Sequence, residues 1–166
     1  MIRSMTWLGI VLVFVLAAVA SASPAADLLF KGVKTSLSSQ DKESIAKQVG
    51  LTLSKDRKSF VDEVGNTLSV AVRELHLNAD RKPEVLVIIS GSVYLFGSAG
   101  AGVQLYIKNS QGRYVQNLGV PAADVRVLPA STQGYRDLML QGPGFECPVW
   151  RWTGKSYDYS HTVKCS

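Results

Sequence analysis

VLVIIS, residues 85 to 90, is the stretch on which the fold turns. It is apolar from Val85 to Ile89, rich in β-branched residues, and has no polar position on either side of an alternation. A run this short and this uniform marks a central strand covered on both faces. Such a strand needs partners at both edges. Upstream, Leu68, Val70 and Val72 alternate with Ser69, Ala71 and Arg73, the period of a half-buried strand. Downstream, VQLYIK (103–108) and RYVQNL (113–118) flank Asn109, Ser110, Gln111 and Gly112, which spell a hairpin. VRVL (125–128), RDLMLQ (136–141), CPVWRW (147–152) and SYDYSHTV (156–163) continue the series at the spacing of an antiparallel meander.

Ahead of the strands the period changes. Residues 23 to 36 show no clear repeat and read as a lead-in. Ser38 with Asp41 makes a capping pair, Ile45 and Val49 stand four apart, and Gly50 is placed to stop a helix. A second short helix is expected over 54 to 64, with Phe60, Val61 and Val64 on one side and Gly65 closing it. Helices this short are marginal alone and need an apolar surface to lie on. The expected fold class is therefore α+β: short N-terminal helices packed on a mainly antiparallel sheet of about six to eight strands.

The first residues set the compartment. Arg3 precedes an apolar run from Trp7 to Ala20, and Ala20, Ser21 and Ala22 are small residues of the kind signal peptidases accept. The run falls short of the roughly 20 residues that span a bilayer, so residues 1–22 read as a signal peptide and 23–166 as one domain. Cut points after Ala25 or Ala26 stay open. Cleavage after Ala22 leaves 144 of the 166 residues. Without Arg3, the 18 basic residues become 17 against 13 acidic ones, a formal charge of +4. They are scattered and mixed with acids, so nucleic-acid binding has no footprint. The expected location is the periplasm or the exterior, with membrane contact only through the leader before cleavage.

The stretch GPGFECPVWRW, from Gly142 to Trp152, admits three readings: a binding loop, a nucleophile's seat or a stapled corner. Cys147 and Cys165 are the two cysteines of the chain. In an oxidising compartment such a pair suggests one disulfide. A tight turn at Thr153 and Gly154 would set Cys147 opposite residue 160, so the last residues must bend back across the sheet to bring Cys165 near. A cysteine enzyme would instead need His76 or His161 beside Cys147. Glu84, Asp124, Asp137 and Glu146 are the carboxylates that paired glycoside chemistry would draw on, and that depends on their separation in space.

HLNADRKPEVLVI places His76, Asn78, Asp80 and Glu84 at positions one, three, five and nine of a DxNxDxxxE pattern. It resembles the acidic calcium loops of integrin-type β-propeller repeats, with His76 at the first ligand and Ala79 and Arg81 where glycine is usual. No metal and no cofactor are expected. Asn78 and Asp80 instead shape the turn, and Pro83 stops any helix ahead of the strand. FGSAGAG (96–102) lacks phosphate-cradle spacing and reads as a flexible loop between strands, or as an exposed loop for another protein. Trp150 and Trp152 share one strand face and Tyr157 and Tyr159 another, so an aromatic ladder is expected, either core or platform.

Taken together, LNADRKPEVLV, FGSAGAGVQLYIK and LQGPGFECPVWRWTGKSY resemble a family of small exported bacterial proteins of unknown function. That family's pattern runs from DLNGDGxPE to GGPGFCxPVxRWNG, and the resemblance covers roughly residues 68 to 160. The chain carries Glu146 where the family often has its cysteine. The resemblance implies no activity. The expectation is an exported, non-enzymatic binding protein of the inhibitor or immunity type, acting on another envelope or exported protein. Its partner-binding residues are Gly97, Ser98, Gly100, Gly102, Gly144, Phe145, Glu146, Trp150 and Trp152. A small cysteine-dependent hydrolase, or an envelope protein binding glycan or peptidoglycan through Trp150 and Trp152, are the alternatives.

Overall fold

A computed structural model describes residues 22–144 and 146–165. All but the last residue of the expected leader lies outside the described residues, and so does Phe145. The fold is α+β and mostly antiparallel. Among the described residues ten strands form two sheets, where six to eight strands in one sheet were expected. The first sheet holds β1 (Thr52–Leu53), β2 (Phe60–Val61), β3 (Thr67–Leu75), β4 (Glu84–Ser90), β5 (Ala101–Lys108) and β6 (Tyr114–Pro121) in chain order. The second holds β7 (Asp124–Thr132), β8 (Tyr135–Gln141), β9 (Glu146–Trp152) and β10 (Tyr157–Lys164), also in sequence.

β4 explains why VLVIIS has no polar position. Val85, Val87 and Ile89 enter a core shared with the helices, while Leu86 enters a second core shared with the other sheet. Leu86 is 0% exposed, among Val103, Leu105, Leu118, Leu138 and Leu140. Sheet lies on sheet on one side and helices lie on the first sheet on the other, so a polar side chain at any of these positions would lose its water without a partner.

The helical part departs from expectation in two ways and agrees with it in one. α1 (Pro24–Leu29) occupies the supposed lead-in: Ser23 caps it, its hydroxyl accepting the Ala26 N–H at 3.3 Å, and Pro24 takes the first position, where a missing N–H costs nothing. α2 (Ser39–Val49) forms where expected, with the Ser38 and Asp41 capping box at one end and Gly50 at φ 70° at the other. The helix expected over 54–64 is absent. Ser54 and Asp56 hydrogen-bond to each other at 2.6 Å, the Lys58 and Ser59 amides donate to their side chains, and Ser54 N–H closes on Ser59 O at 2.9 Å. Side-chain bonds of this kind offer the backbone a turn in place of a helix, and here they make the β1–β2 hairpin.

α2 also blunts an edge. Gln48 Nε2 donates to Tyr114 O at 2.9 Å, and Gln116 N donates to Gln48 Oε1 at 3.2 Å. One carboxamide thus imitates a neighbouring strand along the outer edge of β6, where unpaired groups would otherwise invite another chain.

The carboxy-terminal ribbon corrects the register expected from a two-residue turn. Trp152 pairs with Tyr157, so the β9–β10 turn spans residues 153–156, and an irregularity between Tyr159 and His161 adds one further residue. Cys147 therefore pairs with Val163 and not residue 160. Cys165 lies just beyond, and the two sulfurs are bonded with a Cα separation of 5.2 Å. Cys147 is buried with Met139 and Val149 on the outer face of the second sheet. The disulfide is compatible with an oxidising, exported location. Among the described residues no helix is long and apolar enough to cross a membrane.

Candidate functional site

The connection between β4 and β5 begins with Gly91, at φ 100°, where an added Cβ would lie 3.0 Å from Thr67 O. Only glycine fits so close to the neighbouring strand in a left-handed conformation. Ser92 follows and is buried; its hydroxyl donates to Asp62 Oδ2 at 2.7 Å and accepts the Leu95 N–H at 3.2 Å. It thereby caps α3 (Val93–Phe96), a single helical turn. A 3-10 turn, Gly97–Ala99, and Gly100 at φ 63° return the chain to β5. The expected flexible loop is thus a folded one.

Asp62 anchors this structure from the β2–β3 turn. Its Oδ1 accepts the Val64 and Asn66 amides at 3.1 and 2.7 Å, and its Oδ2 accepts Asn66 Nδ2 at 2.9 Å as well as Ser92. The Ser92 hydroxyl, and behind it the Asn66 and Val64 donors, hold the Asp62 carboxyl below the usual carboxylate range. A depressed folded-state value means that its contribution is complete above the ordinary range and lost only as pH falls through the lowered one. The other end is fixed by Phe96, whose ring lies over Gly102: a Cβ there would meet Phe96 Cε1 at 2.3 Å.

Between these fastenings the chain turns apolar side chains outward. Val93 is 75% exposed, Tyr94 60% and Leu95 41%, with Val64 at 64% beside them on the anchoring turn. Tyr94 Oη donates to Glu63 Oε2 at 3.3 Å. Small domains rarely expose apolar side chains in consecutive positions unless something covers them. These residues are passed over in the sequence, since a single turn of four residues is too short to display a period. The available signal was an apolar run hemmed by Gly91 and Gly97.

The two loops singled out in the sequence meet. Ser98 and Ala99 face Gly142, Pro143 and Glu146 across a hollow of about 280 Å3. Gly97 and Ser98 are exposed, and Gly144 is exposed at φ 120°. Gly102 is different: it is buried under Phe96 and shapes the turn without being able to meet a partner. Trp150 and Trp152 belong to neither loop: both are half-buried, with one side packed against the core between the sheets. No full ladder forms: Tyr135, Trp152 and Tyr157 cluster, whereas Tyr159 is 58% exposed and its hydroxyl meets Thr162 Oγ1 at 3.0 Å.

The other candidates are dispersed. Cys147 is held in the disulfide and presents no thiolate. Asp124 pairs with Arg73, and buried Asp137 accepts from Thr132 and Arg151, while Glu146 is exposed. His76 is exposed and Glu84 buried, and among the described residues no three metal-binding side chains converge. The 76–84 loop closes on its own bonds: Asp80 N to Asn78 Oδ1, Lys82 N to Asp80 Oδ1, and Leu77 N to Glu84 Oε2 at 2.8 Å. No family model, curated protein or solved structure matches the chain.

Glu84 yields a prediction with a defined sign. Burial pushes its carboxyl up, against the pull of the Leu77 N–H. The folded state therefore keeps the proton to higher pH than the unfolded chain does, and stability falls as pH rises through the raised value. Glu84→Gln keeps an acceptor for Leu77 and carries no charge. Its melting temperature at pH 7 is expected to equal or exceed that of the parent, and its advantage is expected to vanish near pH 4. Thermal melts across that range check the order.

Proposed function

We propose that this is an exported binding protein of the inhibitor or immunity type, which acts by inserting the α3 turn into a cleft of an envelope partner. The reading rests on one observation: Val93, Tyr94 and Leu95 stand consecutively exposed on a turn fastened at Asp62 and at Gly102. A loop already rigid in its bound shape loses little conformational freedom on docking, which favours tight association. Tyrosine is among the residues that dominate interface energetics. Ser98, Gly144 and Glu146 would form the polar flank beside that apolar centre. Kinship with the small exported proteins that the sequence resembles is part of this proposal.

The test uses the mature protein as bait for an envelope extract, with Val93→Asp/Tyr94→Ala as the comparison. Both side chains are exposed, so the melting temperature should move little. Truncating an aromatic anchor and placing a charge in the interface should weaken capture of the specific partner by at least about thirtyfold, from the 2 kcal/mol or more that such anchors carry. Undiminished capture would remove the α3 turn from the interface.

A further inference from the structure

At the other end of β5, about 23 Å from Gly102 by strand rise, lies a hollow of about 450 Å3 between the β5–β6 and β9–β10 turns. That volume is within the range of about 300–1,000 Å3 typical of small-molecule sites. Its wall is aromatic: Tyr135 and Trp152 stack with ring centroids 4.2 Å apart and planes 23° from parallel. Tyr157 stands edge-on behind them, 5.4 Å from Trp152 and 6.3 Å from Tyr135. The wall is also fixed from the side. Asn117 Oδ1 accepts the Tyr157 N–H at 3.0 Å, and Asn117 Nδ2 donates to Lys155 O at 3.2 Å, tying β6 to the β9–β10 turn.

The rim carries donors. The Asn109 carboxamide oxygen is taken by the Gln111 and Arg113 amides, each at 3.0 Å. Asn109, Ser110 and Lys155 line the hollow, and Asn109 Nδ2, the Ser110 hydroxyl and the Lys155 ammonium have no hydrogen-bond partner among the described residues. Lys108, also on the rim, is neutralised by Asp41 at 3.2 Å. Among the described residues no carboxylate lines the hollow. A ligand suited to it has one flat, weakly polar face and several acceptor oxygens, at least one of them charged.

We infer that this hollow binds a carboxylate-bearing saccharide, its pyranose ring laid against the Trp152–Tyr135 wall and its carboxylate toward Lys155. Axial C–H bonds of a pyranose carry slight positive charge and meet the negative face of an aromatic ring. The donors then take ring hydroxyls and the acid group, and bonds to charged partners are the stronger ones. A plain hydrophobe would leave the donors without acceptors, and a cationic ligand would face Lys155. The site lies apart from the α3 turn and does not depend on the reading of that turn.

Tetragalacturonate and the neutral maltotetraose serve as probes, titrated into the mature protein at low salt. After cleavage Trp150 and Trp152 are the only tryptophans, so intrinsic fluorescence reports the wall directly. The expected result is a saturable change with tetragalacturonate, about tenfold tighter than with maltotetraose, as charged hydrogen bonds of about 1.5 kcal/mol imply. Lys155→Glu, on an exposed turn, should weaken the acidic probe by at least that factor, and Trp152→Phe should weaken both probes. The inference fails if tetragalacturonate gives no saturable response at millimolar concentration. It fails equally if the two probes bind alike and Lys155→Glu changes neither.

Discussion

Replacing both Cys147 and Cys165 by alanine is expected to lower the unfolding free energy by about 3 kcal/mol, the chain-entropy value for a closed loop of this order. The separation along the chain is 18 residues. For a domain of this size that corresponds to a fall in melting temperature on the order of 10 °C. The loss should concentrate in β10. Among the described residues that strand pairs only with β9 at the end of the second sheet, and beyond Tyr157 its side chains are exposed or half-buried. The crosslink joins its far end to a residue packed with Met139 and Val149. Without it, the amides of 161–164 should exchange at rates near those of an open chain while those of β4 and β5 keep full protection. Reductant added to the parent protein should reproduce the effect. An unchanged melt under reduction would mean that pairing with β9 alone holds the ribbon.

What the sequence made legible follows from how local each cause is. VLVIIS announced a two-sided strand because Val85 to Ile89 feed two cores in alternation, leaving no position for a polar residue. α2 was readable because its caps, Ser38, Asp41 and Gly50, lie within its own neighbourhood. α1 was not, since six residues are too few to display a period. At 54–64 the apolar spacing favoured a helix, but Ser54 and Asp56 won the backbone for a turn. The division into two sheets was also hidden. A meander has the same spacing whether its next strand extends the sheet or folds over it, and here the fold-over occurs within Ala122 and Ala123, where Ala122 is buried and Ala123 N–H donates to Gln141 O at 2.6 Å.

The candidate site was half legible for the same reason. Glycines at 97, 100, 102 and 144 flagged two loops, and the structure sets those loops on either side of one hollow. The residues that project most were invisible, because exposure of Val93 and Tyr94 depends on Asp62, thirty residues upstream of Ser92. No local pattern encodes a hydrogen bond across that distance.

The second large effect concerns a residue that a partner cannot touch. Gly102→Ala adds one methyl group, which would sit 2.3 Å from Cε1 of Phe96. Gly102 has no left-handed conformation to lose, so the backbone accepts alanine and the conflict lies wholly with the ring. The strand is held between β4 and β6 and cannot retreat. Phe96 must therefore move, at an overpacking cost of about 1–3 kcal/mol, and α3 moves with it. On the proposed docking, capture of the partner should weaken at least about tenfold although Val93, Tyr94 and Leu95 are untouched. Phe96→Leu in the same chain removes the offending edge of the ring and should recover part of both stability and capture, a coupling that independent sites would not show. If Gly102→Ala melts lower but captures the partner as before, the turn keeps its shape without the seat under Phe96, and the rigidity argued for it comes from Asp62 and Ser92 alone.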